Sequence, residues 1–281
     1  MSKVLAVDLD GTLFYPRKIK RCISKKNVHF LRDWIDAGNH LVIVTSRCHE
    51  FTIRLKDEIQ RPFDSINCSG AQMYHNDDLI YEKSMKNTDI TKMINKIKKR
   101  YHPSAMFVTT DEYPNVIYRS SGLSRISVFF YRMWYFFQFK YREPSVISND
   151  LFKEQLSKGK IYKAMIFYGF GKRKSTLSKE INKELRENFP DMESSWSSIV
   201  NELTPNHCNK GESIEKYCQL LNVDPKDVYV VGDSGNDIAM FNRFHENSYC
   251  MSHAYPSVKK YAKHVISRVH KLGKIVLKGE K

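Results

Sequence analysis

Hydrophobic positions along this chain follow two rhythms. Near the start, Val4 to Val7 is an unbroken apolar run, and His40 to Thr45, Phe63 to Cys68 and Val228 to Val231 repeat the pattern. Strands without polar alternation are buried on both faces, as in parallel sheets covered by helices. Between the first two runs, Ser24 precedes Val28, Leu31, Trp34 and Ile35 at helical spacing, and Gly38 follows them. That predicts a capped helix linking two strands. A second helix from about Cys48 places Phe51, Leu55 and Ile59 on one face. Repeated strand-helix winding predicts an α/β fold with a Rossmann-like parallel sheet.

The rhythm changes after about Met73. QMYH, the Asn76-Asp77-Asp78 turn and LIYEK predict a hairpin. A helix follows from Thr88 to Tyr101, with Ile90, Ile94 and Ile97 aligned, then strands at Ala105 to Thr109 and Val116 to Arg119. The aromatic stretch Ser127 to Tyr141 suits either a strand or a buried helix, for core packing or a lining that faces a ligand. Lys160 to Tyr168 predicts a strand, Ser175 to Asn188 a helix, and Ser194 to Leu203 a strand pair. From Thr204 the first rhythm resumes, with a helix carrying Ile214, Cys218 and Leu221. The expected organisation is a core of residues 1–75 and 204–281 interrupted by an α+β domain at 76–203.

Composition narrows the function classes. The 281 residues, 41% hydrophobic and 27% charged with a mean hydropathy of −0.51, fit a soluble globular protein. The run Val128 to Phe139 is interrupted by Arg132 and too short to span a bilayer, so no membrane role is expected. Only Ser2 and Lys3 separate Met1 from the first strand, which leaves no secretory signal, and six cysteines without a CxxC pair suit a reducing cytoplasm. The net charge of +15 raises the question of a polyanionic partner. That charge is spread along the chain and no nucleic-acid module accompanies it, so a solvated surface or attraction of small anions is the expectation.

The candidate chemistry sits where buried strands end. Asp8 and Asp10 follow the first strand two residues apart, so on extended backbone both carboxylates reach one small volume. Such anions repel unless a proton or cation joins them. Thr45 and Ser46 bring hydroxyls to a second strand end, though Thr45 also suits a helix cap. Lys210 lies at a helix start, and GDSGND sets Asp233, Asn236 and Asp237 at another strand terminus. Strand ends of a parallel sheet converge on one crevice, which makes these groups a single candidate site.

DLDGT at 8–12, Thr45-Ser46, Lys210 and GDSGND at 232–237, in this order, resemble the four motifs of the haloacid dehalogenase superfamily. The insertion resembles the large α/β cap of its Cof-type phosphatases, as does NDIAMF after the last acids. The resemblance implies a Mg²⁺-dependent phosphatase acting on small phosphate monoesters such as sugar phosphates or phosphorylated cofactors. It implies Asp8 as nucleophile, Asp10 as general acid and base, and Thr45, Ser46, Lys210 and Asn236 as phosphate contacts. Asp8, the Asp10 carbonyl, Asp233 and Asp237 are the implied metal site. A phosphotransferase or phosphomutase on the same core, and a binding protein with a basic surface, are the alternatives. Oligomeric state is left open. Ser69 and His253 depart from the Asn that the subfamily commonly carries at each position. His253 and His207 are expected to be ordinary structural histidines, and Arg119, Lys140 and Arg142 are candidates for a second anionic group.

Overall fold

The computed structural model describes residues 2–16, 21–120, 122, 124–139, 144–197 and 199–277. In chain order these form β1 (Val4–Val7), α1 (Lys25–Asp36), β2 (His40–Val44), α2 (His49–Ile53), α3 (Leu55–Ile59), β3 (Asp64–Asn67), β4 (Gln72–His75) and β5 (Asp78–Glu82). Next come α4 (Asn87–Tyr101), β6 (Ala105–Thr110), β7 (Val116–Arg119), α5 (Ser124–Phe139), β8 (Val146–Ile147), α6 (Asn149–Lys158), β9 (Ile161–Phe167) and α7 (Lys172–Asn188). The series closes with β10 (Met192–Ser197), β11 (Val200–Pro205), α8 (Lys210–Leu220), β12 (Val228–Gly232), α9 (Ile238–Arg243), β13 (Ser248–Met251) and β14 (His264–Ile266). The chain divides into two compact units, Met1–Glu82 with Asn209–Lys281, and Lys83–Cys208.

The first unit is built on a sheet of order β14-β13-β12-β1-β2-β3-β4-β5. From β14 to β3 neighbouring strands are parallel, and β4 and β5 add an antiparallel edge. The apolar runs of β1 and β2 are buried as their unbroken patterns require. Ser24 caps α1 through the Asn27 amide, and Trp34 of α1 is fully buried with its indole N–H on the His40 carbonyl at 2.8 Å. β1 lies between β2 and β12, so the chain winds outward on one side and returns on the other. This is the switch point at which doubly wound sheets open a crevice. β5, which the expected boundary at residue 76 assigned to the insertion, extends this sheet instead: it pairs with β4, whose Met73 pairs with Ile66 and completes the core beside β3.

The second unit carries a sheet of order β10-β11-β9-β6-β7-β8, antiparallel except for the β7-β8 pair. One face packs Ile90, Ile94 and Ile97 of α4, Phe152 and Leu156 of α6, and Ile181 and Leu185 of α7 into a core. As far as Phe139, the aromatic stretch left open between strand and helix is the helix α5, with Val128 buried against Phe107, Ile117 and Phe167. Ile126, Phe129 and Phe130 stay exposed, so its first turns are not buried throughout. α6, which the apolar spacing did not predict, begins where Ser148 accepts a hydrogen bond from the Leu151 amide. Lys140 and Arg142 lie outside the described residues. No helix among the described residues is long and apolar enough to cross a membrane.

Candidate active site

Each functional side chain is placed by the end of a strand or the start of a helix. The Asp8 amide continues the β1-β12 ladder by donating to the Val231 carbonyl at 3.0 Å, which fixes the carboxylate just beyond the sheet. The chain then turns tightly over Leu9 to Leu13, with the amides of Leu13 and Phe14 reaching back to the carbonyls of Asp8 and Leu9. Gly11 permits this turn. Its φ is +81°, and a Cβ there would lie 2.3 Å from Asp233 Oδ2. The Thr12 hydroxyl donates to Asp233 Oδ1 at 2.9 Å, tying the first strand end to the fourth motif.

Lys210 begins α8, whose start is capped by Asn209 accepting from the Glu212 amide. Its side chain is 1% exposed, and Nζ donates to Asp8 Oδ1 at 2.6 Å and to Asp237 Oδ1 at 2.7 Å. Asp237 Oδ2 accepts from the amides of Asp233 and Ser234, both at 2.9 Å, so Asp237 organises the loop as well as the lysine. Asp8, Asp233 and Asp237 each offer an oxygen within 4.8 Å of the other two. Asp8 Oδ2 is buried and receives no hydrogen bond from any described residue.

Charge balance in this cluster is uneven. Burial pushes the Asp8 carboxyl well above the usual carboxylate range; Lys210 pulls against that shift, while Asp237, Asp233 and Asp10 add to it. Asp233 is pushed up to about 6, chiefly by burial and then by Asp237. Burial opposes the Lys210 charge, yet Asp237 and Asp8 outweigh it and hold the ammonium above its ordinary range. Three carboxylates share one ammonium here. A hard divalent cation on oxygen donors would relieve that excess and occupy the orphaned Asp8 Oδ2, so the residues present fit Mg²⁺.

Asp10 has a different partner. Its carboxylate receives a two-pronged contact from Arg47, Nε to Oδ2 and Nη2 to Oδ1, each at 2.7 Å. The Arg47 guanidinium also lies 4.0 Å from the Phe51 ring centre. Thr45 is buried, and its Oγ1 accepts from the Arg47 amide at 3.2 Å. Ser46 follows it, half-buried. Asn236 is half-buried and accepts from the Ser234 hydroxyl at 2.7 Å. Asp8, Asp233, Asp237 and Lys210 thus form one cluster, with Thr12 joined to it and Asp10 held at its side by Arg47.

Both family departures fall near this cluster. Ser69 has φ +55° and its amide donates to the Thr45 carbonyl at 3.0 Å, so it buttresses the second strand end. Asn tolerates that left-handed backbone better than Ser, which gives the common Asn a physical basis. At the adjacent Gly70, a Cβ would meet Ser213 Oγ at 1.7 Å. His253 places Nε2 3.7 Å from Asp233 Oδ2, and its ring lies against Tyr15 with centroids 3.9 Å apart. Burial, then Arg268, lowers its proton affinity. His207 is exposed in the second unit. Sequence reasoning missed Arg47 and Thr12 as parts of the site; their signal was adjacency to motif residues, an Arg after Thr45-Ser46 and the Thr closing DLDGT.

A family model for haloacid dehalogenase-like hydrolases matches residues 5–274. The chain is 23% identical over 239 residues to 5-amino-6-(5-phospho-D-ribitylamino)uracil phosphatase YcsE of Bacillus subtilis, covering 85% of this chain and 79% of that protein. A haloacid dehalogenase-like hydrolase from B. subtilis superposes with a TM-score of 0.79 at 19% identity, over 98% of this chain and 99% of the other. One from Bacteroides thetaiotaomicron gives 0.76 at 19% identity, over 98% and 100%.

Proposed function

Because this chain belongs to the haloacid dehalogenase-like hydrolases, we propose that it is a Mg²⁺-dependent phosphatase of small phosphate monoesters working through an aspartyl phosphate on Asp8. The observation that carries this reading is Asp8 itself: one oxygen is on Lys210, and the other is buried without a partner beside the Asp233 and Asp237 carboxylates. Asp8, Asp233 and the Asp10 main-chain carbonyl would hold the metal, with Asp237 behind them fixing Lys210 and the loop. When bound, the cation offsets the negative charge that a phosphate dianion brings to an anionic nucleophile.

In the first step the Asp8 carboxylate attacks phosphorus and the ester oxygen leaves, taking a proton from Asp10. In the second, water attacks the acyl phosphate, Asp10 takes its proton, and inorganic phosphate departs with Asp8 restored. Lys210 offers positive charge to the transferring oxygens. Thr45 Oγ1 already accepts from the Arg47 amide, which leaves its proton to donate, and Ser46 adds a second hydroxyl. Asn236 accepts through its side-chain oxygen, which leaves its NH₂ to donate to phosphate. Asp10 must exchange its Arg47 partner for the leaving oxygen, so Arg47 sets where Asp10 rests.

The substrate class is a sugar phosphate or a phosphorylated cofactor precursor, and a ribityl phosphate ester belongs in any test because YcsE is named for one. Six free thiols fit work in the cytoplasm. The test is phosphate release from a panel of monoesters with Mg²⁺ and with EDTA. Mg²⁺-dependent release from at least one ester is expected; release unchanged in EDTA would overturn the metal-dependent reading.

A further inference from the structure

The second unit contains a cavity of about 420 Å³ that the proposed chemistry does not use. It is lined by Arg119 and Ser120 after β7, Gly122 and Arg125 at the start of α5, Ile147 of β8 and Asn149 at the start of α6. Its volume is within the range of small-molecule sites. Among the described residues, neither Arg119 nor Arg125 has a carboxylate partner. Other basic side chains of this unit do: Lys96 and Arg100 meet Glu184 at 3.1 and 3.0 Å. Asp150, the nearest acid in sequence on α6, is taken by Lys153 at 3.4 Å.

The wall is built rather than incidental. Asn149 holds the end of β7 from both sides, accepting from the Arg119 amide at 2.9 Å and donating to its carbonyl at 3.1 Å. The backbone from which the Arg119 side chain departs is thereby fixed against α6. Arg125 is anchored at the first turn of α5, where its amide donates to the Gly122 carbonyl at 3.2 Å. Two guanidinium groups without an acid partner among the described residues match the planar, multi-donor recognition that phosphate and carboxylate groups receive from arginine.

We propose that this cavity binds the phosphate or carboxylate group of a small molecule through Arg119 and Arg125. Two sources share that chemistry: a second anionic group on the substrate, or a separate oxyanion acting as an effector. The binding claim is independent of the phosphatase reading and is tested without turnover. Crystals of the full-length protein would be soaked in sodium tungstate, wild type beside Arg119→Gln/Arg125→Gln. Tungstate anomalous density between the two arginines, lost in the double variant, is the expected result. No density at the cavity of the wild type, or equal density in the variant, would overturn the proposal. The source is decided by kinetics with Mg²⁺. For a substrate group, the variant raises KM about tenfold for bis-anionic esters while leaving p-nitrophenyl phosphate unchanged, since one charged hydrogen bond accounts for roughly that factor. For an effector, tungstate density is lost in the variant and the two KM values keep their ratio.

Discussion

Both units cover a sheet with helices around a closed apolar core, yet they hold charge in different ways. In the first, Asp8, Lys210, Asp237 and Arg47 are buried, and each is committed to a partner brought from a distant part of the chain. In the second, Arg119 and Arg125 stand at a cavity without a carboxylate partner among the described residues. Parallel strands end together, so a few residues per strand suffice to assemble a reaction centre at the switch point. An antiparallel sheet sends its strand ends to opposite edges, and recognition falls to loops and helix starts that carry no common motif. The candidate catalytic groups are gathered in the first unit, and the proposed anion-binding groups lie on loops and helix starts of the second.

The sharpest way to break this contrast is Asp8→Asn. Turnover should fall by at least about a thousandfold, since an amide is a poor nucleophile, while the circular dichroism spectrum stays unchanged. Lys210→Met comes next. It strands two buried carboxylates, so about 3–5 kcal/mol of stability should be lost, read by urea denaturation, with a fall of about a hundredfold in kcat. In the second unit Phe152→Ala should cost a similar 3–5 kcal/mol through the cavity it leaves, again read by urea denaturation, because Phe152 is buried between α6 and the sheet.

Arg47→Lys should act more gently, lowering kcat by roughly tenfold, since one ammonium cannot reproduce the two-pronged hold that positions Asp10. An unchanged kcat would remove Arg47 from the account. The smallest effect is on stability against pH. Asp233 titrates near 6 in the folded chain, above the ordinary carboxylate value. Between those values the folded state keeps a proton that the unfolded chain has lost. The contribution is therefore full below that window and disappears as pH rises through about 6. In EDTA, the melting temperature of wild type should drop relative to Asp233→Asn over this window, and Mg²⁺ should reverse the drop by binding the ionised carboxylates.

What could be read from the residues divides along the same line. The unbroken runs at Val4–Val7 and His40–Val44 announced a parallel sheet, because burial on both faces leaves no alternation to see. The clustering of Asp8 with Asp233 followed from that sheet, and Lys210 joined it through the resemblance to the family's motifs. The Asp10 fork did not, since it pairs residues 37 apart in sequence and depends on the side-chain direction of Arg47. The strand β5 was placed with the wrong unit because the hairpin's alternating pattern shows one buried face and says nothing of which core receives it. The helix α5 was unreadable because eight of its sixteen residues are aromatic and they stand in adjacent runs, so no period emerges from them. The cavity at Arg119 was legible only as a charged residue, without the Asn149 contact that fixes it.

The central claim is that Asp8 carries the phosphoryl group. Enzyme mixed with Mg²⁺ and its best ester, quenched in acid during turnover and digested for mass spectrometry, should show one alkali-labile phosphoryl group on the peptide containing Asp8. The Asp8→Asn variant should show none. Steady turnover without any adduct at Asp8, or undiminished turnover by the variant, would contradict the account.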